Sequence, residues 1–142
     1  MKIDEFLETK IWDKRDRRMM YVAYGAALAS PGVGPNNNFR LGAVLVDGPR
    51  VVSVGFNSYK THPKLLTYTE YPYLHAEQAA IFKYGMENCE GLDLYVIRVL
   101  ADGRAAVSVP CSVCNKLIKD VGIGGVYFVN GYGGFVAPGM DG

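Results

Sequence analysis

Four residues in this chain have types and spacings that could do chemistry: His75 and Glu77 in YLHAEQAAIF, and Cys111 and Cys114 in VPCSVC. Two thiols at i and i+3 at the start of a helix can face one point. The positive end of that helix favours thiolate, the form that binds zinc. Alone, C-x-x-C stays open between zinc, a redox pair and no role. His75 adds an imidazole, giving three ligands and a fourth position open to water, the arrangement of catalytic zinc. A structural zinc needs a fourth protein ligand, for which only His62 and Cys89 remain among the histidines and cysteines. Zinc in an open site brings the pKa of water to about 7. Glu77, two residues past His75, is placed to accept and return the proton; the plainer reading is an acid in a first helical turn.

The elements that must position these groups follow from hydrophobic period. Residues 1–12 read as a short helical extension, and KRDRRMMYVAYGAALAS (14–30) as a longer helix stopped by Pro31 and Gly32. Its mixed charges, Asp13 to Arg18, read as a solvated face rather than a phosphate patch. LGAVLVDGPRVVSVGFN (41–57) reads as two strands about Asp47-Gly48, with Pro49 weakening the hairpin signal. A long loop at 58–74 precedes a helix at 75–86, and loops of that length are often functional. LDLYVIRVL (92–100) is a strand, AAVSV continues extended to Pro110, a helix spans 111–120, and GGVYFVN (124–130) is a further strand. Residues 131–142 form a Gly-rich tail without period. Strands alternating with helices predict a three-layer α/β/α sandwich in one domain, its mixed sheet starting with an antiparallel hairpin.

Composition narrows the class of function. The chain has 142 residues, 49% hydrophobic and 20% charged, with a formal net charge of +1. That is an ordinary globular balance, and it gives no general attraction to a polyanion. Three cysteines do not suit a disulfide framework. The amphipathic, acid-bearing MKIDEFLETK is not a secretion signal, and no apolar run approaches membrane-spanning length. The expectation is a cytoplasmic protein with no membrane partner.

In chain order the four residues spell His75-Ala76-Glu77 and then Pro110-Cys111-Ser112-Val113-Cys114. This is the H-x-E, P-C-x-x-C signature of zinc nucleobase deaminases, and the sequence resembles the cytidine and deoxycytidylate deaminase superfamily from about residue 16 to 130. The hairpin ending in Gly55-Phe56-Asn57 is similar to the family's first hairpin. TEYPYLHAE is similar to the approach seen in deoxycytidylate deaminases. The resemblance implies Zn2+ as cofactor and Glu77 as proton shuttle. It also implies that Asn57 hydrogen-bonds the sugar or substrate edge, that the Ala76 N–H meets the pyrimidine carbonyl, and that the Val109 carbonyl meets the departing amine. It further implies a homo-oligomer, for which the Tyr- and Met-rich stretch 19–28 could supply a face.

The remaining candidates stay open. Tyr68, Tyr71 and Tyr73 could stack on a base or pack in the core. Lys60 and Lys64 in the loop, with Arg40 and Arg50 at the hairpin, could serve one phosphate; His62 could sense it or stand idle. Cys89 reads as a small buried hydrophobe. Asn57 could be a turn residue, and Tyr132 and Phe135 could cap a pocket or belong to a plain tail. The expected activity is hydrolysis of the exocyclic amine of a small-molecule cytosine nucleotide, foremost deoxycytidine monophosphate. The rivals are a deaminase of cytosine or adenine within a nucleic acid strand, disfavoured by the near-neutral charge, and an inactive zinc-stabilised module.

Overall fold

In the computed structural model, residues 13–59 and 73–129 are described. The expected helix at 1–12, the tail at 131–142, and Lys60, His62, Lys64, Tyr68, Tyr71, Tyr132 and Phe135 lie outside these residues.

Helix α1 (Lys14–Ala29) begins at Asp13, whose side chain accepts the Asp16 N–H at 2.7 Å, and ends at Ser30. Strands β1 (Arg40–Asp47) and β2 (Arg50–Phe56) form the expected antiparallel hairpin. Pro49 does not spoil it. Gly48, at φ +60°, takes the left-handed first position of a two-residue turn, and Pro49 follows where no ladder N–H is required. Helix α2 (Ala76–Tyr84) follows, then β3 (Asp93–Val99), a two-residue β4 (Ala105–Ala106), α3 (Ser112–Asp120) and β5 (Gly125–Phe128). AAVSV therefore pairs as a strand over only two residues; beyond them Ser108 still bonds the sheet, its N–H donating to the Val129 carbonyl and its hydroxyl to the Val96 carbonyl, each at 2.9 Å.

The five strands make a mixed sheet in the order β2-β1-β3, with β4 and β5 both on the free side of β3. β4 pairs antiparallel near the C-terminal end of β3, and β5 parallel near its N-terminal end. Alternation assigns the two faces. Ala43, Leu45, Leu94 and Val96 point to one side and pack with Ala80 and Ile81 of α2 and Leu117 and Ile118 of α3. Val44, Val46, Tyr95, Ile97 and Val99 point to the other and pack with Met19, Met20, Ala23 and Ala27 of α1. Leu45, Ile81, Leu94 and Leu117 are fully buried, and each contributes about 1.5–3 kcal/mol of hydrophobic stabilisation. This is the three-layer α/β/α arrangement expected from the sequence.

Two expectations for α1 need correction. Met19 and Met20 lie in the core, leaving Tyr21 and Leu28 exposed, because the row that meets the sheet is 19, 20, 23 and 27. The charged start of the helix is not wholly a solvated face either. Asp16 is buried and accepts the Tyr95 hydroxyl hydrogen bond, while Arg15 pairs with Asp93 at 2.9 Å and donates to the Gly48 carbonyl at 3.1 Å. Helical spacing turns Asp16 inward with Met19, Met20 and Ala23. No described helix is long and apolar enough to cross a membrane.

The opposite layer sits close to the sheet. A Cβ on Gly55 would fall 2.5 Å from Ala80 N and 2.7 Å from Ala76 O. Glycine in β2 thus lets α2 lie directly on the strand, and α2 carries Glu77.

Candidate active site

His75 and Cys111 hold equivalent positions. Each is the N-cap residue of its helix with extended backbone, His75 at φ −80°, ψ 156° and Cys111 at φ −70°, ψ 171°. The His75 carbonyl accepts the Ala79 N–H at 2.9 Å, and the Cys111 carbonyl accepts the Asn115 N–H at 2.8 Å, so both helices grow from these residues. Gln78 reinforces the first corner, its side-chain oxygen accepting the His75 N–H at 2.8 Å. Two positive helix ends thus flank one point.

At that point His75 Nδ1 lies 3.3 Å from Cys114 Sγ and 3.7 Å from Cys111 Sγ. The three ligand atoms all fall within 4.8 Å of one another. Tetrahedral zinc with bonds of about 2.05 Å to nitrogen and about 2.3 Å to sulfur separates nitrogen from sulfur by about 3.5 Å. Borderline-soft donors at these separations fit zinc. A hydrogen bond from Cys114 draws the Cys111 thiol down to about 4, while the same bond, with burial, pushes Cys114 up. A dication favours thiolate at both. Cys89 is elsewhere, buried in the apolar cluster with its thiol donating to the Gly85 carbonyl at 3.3 Å. Among the described residues, the metal-ligating cluster therefore has three protein members, His75, Cys111 and Cys114.

Glu77 lies beside this cluster, only 3% exposed, with its carboxyl in hydrogen-bond contact with the Cys114 thiol. Burial raises its pKa above the usual carboxylate range, the direction that lets a carboxyl both accept and donate near neutral pH. It borders a cavity of about 550 Å³ that is also lined by Asn57, Tyr73, His75, Ala76, Val109 and Cys111. That volume suits one small molecule.

The other expected site residues gather here with one exception. Ala76 opens α2, so its N–H has no acceptor within the helix. Val109 is 52% exposed at the rim. Tyr73 stacks on His75, ring centroids 5.1 Å apart and planes 20° apart, and meets Tyr59 edge-on. Asn57 is more than a turn residue. It is 1% exposed; its side-chain oxygen accepts the Leu41 N–H at 2.9 Å, and its amide donates to the Phe39 carbonyl at 2.7 Å. The exception is Lys60, which lies outside the described residues. Arg40 and Arg50 do not line the cavity: Arg40 donates to the Leu100 carbonyl at 2.8 Å, and Arg50 pairs with Asp47 across the hairpin turn at 3.6 Å. They are committed to the ends of the hairpin.

Sequence reasoning missed Ser30, Phe39 and Arg98. The Ser30 hydroxyl lies 2.6 Å from the Asn57 side-chain oxygen, tying the end of α1 to the site. Phe39 and Arg98 both line the cavity. One signal for Arg98 is present in LDLYVIRVL, where alternation puts it in the inward row of Leu94 and Val96.

A thiolate-imidazole metal corner formed by two helix starts, on a mixed sheet opened by a hairpin, places the chain among the zinc-dependent hydrolytic deaminases. Residues 13–130 match the cytidine and deoxycytidylate deaminase zinc-binding region, and the chain belongs to that family. Solved structures share the fold. A dCMP deaminase from the cyanophage S-TIM5, in apo form, is 23% identical over 78% of each chain, with a TM-score of 0.56. The same cyanophage enzyme in complex with dCMP and dUMP is 23% identical over 76% of this chain and 75% of that one, TM-score 0.55. A cytidine deaminase from Burkholderia pseudomallei is 20% identical over 84% of this chain and 88% of that one, TM-score 0.58. No curated protein sequence matches the chain.

Proposed function

We propose that this protein hydrolyses the exocyclic amine of cytosine in a free deoxycytidine nucleotide, converting deoxycytidine monophosphate and water to deoxyuridine monophosphate and ammonia. The observation that carries the reading is the placement of buried Glu77 at the wall of a cavity of about 550 Å³ that also holds His75 and Cys111. A similar fold solved with dCMP and dUMP supports a nucleotide as occupant.

His75, Cys111 and Cys114 would hold zinc, which supplies an acidified water and positive charge beside the ring. Glu77 takes the proton of the attacking water and delivers it to the ring nitrogen and then to the leaving amine. Its burial favours this double duty, because a carboxyl raised above its ordinary range takes a proton from water and holds it until the ring nitrogen and then the amine accept it. The Ala76 N–H, at the positive end of α2, donates to the pyrimidine carbonyl, and the Val109 carbonyl accepts from the amine. Asn57, fixed by Leu41, Phe39 and Ser30, presents its amide to the sugar. Tyr73 covers the His75 ring and keeps water from that side of the site.

The net charge of +1 and a cavity sized for one small molecule favour a free nucleotide over a strand. Matched kinetics on deoxycytidine monophosphate, deoxycytidine and a cytosine-containing oligonucleotide test this. The nucleotide should have the highest kcat/KM. A higher value for the oligonucleotide would reject the free-nucleotide reading.

A further inference from the structure

Arg98 is the one arginine or lysine among the described residues lining the cavity. Its position follows from register. Arg98 pairs with Leu41 across the β1–β3 ladder, and the alternation of β3 puts it on the face that carries Leu94 and Val96, the face of α2 and α3. Leu94 and Val96 pack into the core, whereas Arg98, two residues further on, reaches the cavity wall. On the neighbouring strand Leu41 donates to the side chain of Asn57, so Arg98 and Asn57 flank the same residue.

The guanidinium is held without being neutralised. Its carbon lies 4.4 Å from the centre of the Phe39 ring, a cation–π contact that holds the group over that ring. Among the described residues, Nε is buried without a hydrogen-bond partner and no carboxylate forms an ion pair with Arg98. Arg15 and Arg104, by contrast, are paired with aspartates. A half-buried cation with open donors on the wall of a catalytic cavity is matched by an anionic ligand. The planar fork of arginine suits a phosphate, which can accept two parallel N–H bonds.

We propose that Arg98, seated on Phe39, recognises the phosphate monoester of the substrate and makes the site select a nucleotide over a nucleoside. This rests on the reading of the cavity as a nucleotide site, and it assigns to β3 the role that the sequence placed on Lys60 and the hairpin arginines. Phe39 orients the fork, and the partly desolvated cavity strengthens each bond to the phosphate.

The test is equilibrium binding of the reaction product, which avoids turnover. Zinc-loaded wild-type protein, Arg98→Met and Arg98→Lys are titrated by calorimetry with deoxyuridine monophosphate and with deoxyuridine. Wild type should prefer the nucleotide. Arg98→Met should bind the nucleotide about tenfold or more weakly, with the nucleoside within about twofold of wild type. Arg98→Lys should recover part of the preference. Arg98→Gln, of similar length, carries the same reading if the methionine variant does not fold. A substituted protein that keeps the full nucleotide preference, or that weakens both ligands equally, overturns the assignment while leaving the nucleotide reading in place. A wild type with no preference between the two ligands overturns both.

Discussion

His75 Nδ1 lies 3.3 Å from Cys114 Sγ although 39 positions of chain separate the two residues. The contact joins the first corner of α2 to the first turn of α3, and with Cys111 it closes the donor set. Bringing these groups together concentrates thiolate charge in a partly buried place. A dication there satisfies all three ligands and fastens two helices to the sheet.

Cys114→Ser should therefore lose zinc and stability together. The expected result is well below one zinc per chain and a melting temperature lower by about 5 °C or more, because metal binding is coupled to folding. Elemental analysis and a thermal melt on the same sample check it. Full zinc retention would remove Cys114 from the ligand set.

Gly55→Ala probes the seating of α2. The added Cβ would fall 2.5 Å from Ala80 N and 2.7 Å from Ala76 O, backbone atoms that cannot swing aside. The helix must lift, at a cost of roughly 1–3 kcal/mol of stability. Because Ala76 and Glu77 ride on that helix, kcat should fall as well. Denaturant unfolding and steady-state kinetics measure the two effects, and an unchanged kcat would show that the site tolerates movement of α2.

Asp16 gives a pH-dependent prediction well away from the metal corner. Burial raises its carboxyl above the usual range even though Tyr95 hydrogen-bonds it. With the folded pKa above the unfolded value of about 3.9, the folded state binds the proton more tightly. This group's contribution to stability is therefore fully present below the unfolded value and is lost as pH rises through the folded one. Asp16→Asn, which still accepts from Tyr95, removes that slope. The difference in melting temperature, variant minus wild type, should be more positive at pH 7 than at pH 4; an equal difference at both would contradict it.

The parts of this molecule that were legible in its sequence are those set by short-range pattern. The metal ligands and Glu77 stand out because spacings of two residues at one helix start and three at the other form a recognisable short pattern. The period of β1 and β3 likewise separates their residues into two faces, while which helix covers each face is visible only in the fold. What the sequence conceals depends on pairing between distant segments. Arg98 meets Phe39 only because Leu41 is in register with Arg98. Ser30 reads only as the last residue of a helix until the hairpin brings Asn57 to its hydroxyl. Asp16 looks solvated among its charged neighbours, and only the seating of α1 on Tyr95 turns it inward.

If Glu77 moves the proton in the deamination, replacing its carboxylate by an amide separates that role from zinc binding. Glu77→Gln preserves shape and the acceptor beside Cys114 while removing the base. The direct measurement is turnover of deoxycytidine monophosphate by this variant and by wild type, with zinc content determined on both preparations. About one zinc per chain is expected in each, with a fall in kcat of roughly two to four orders of magnitude in the variant. Near wild-type turnover by a zinc-loaded Glu77→Gln protein would contradict that role.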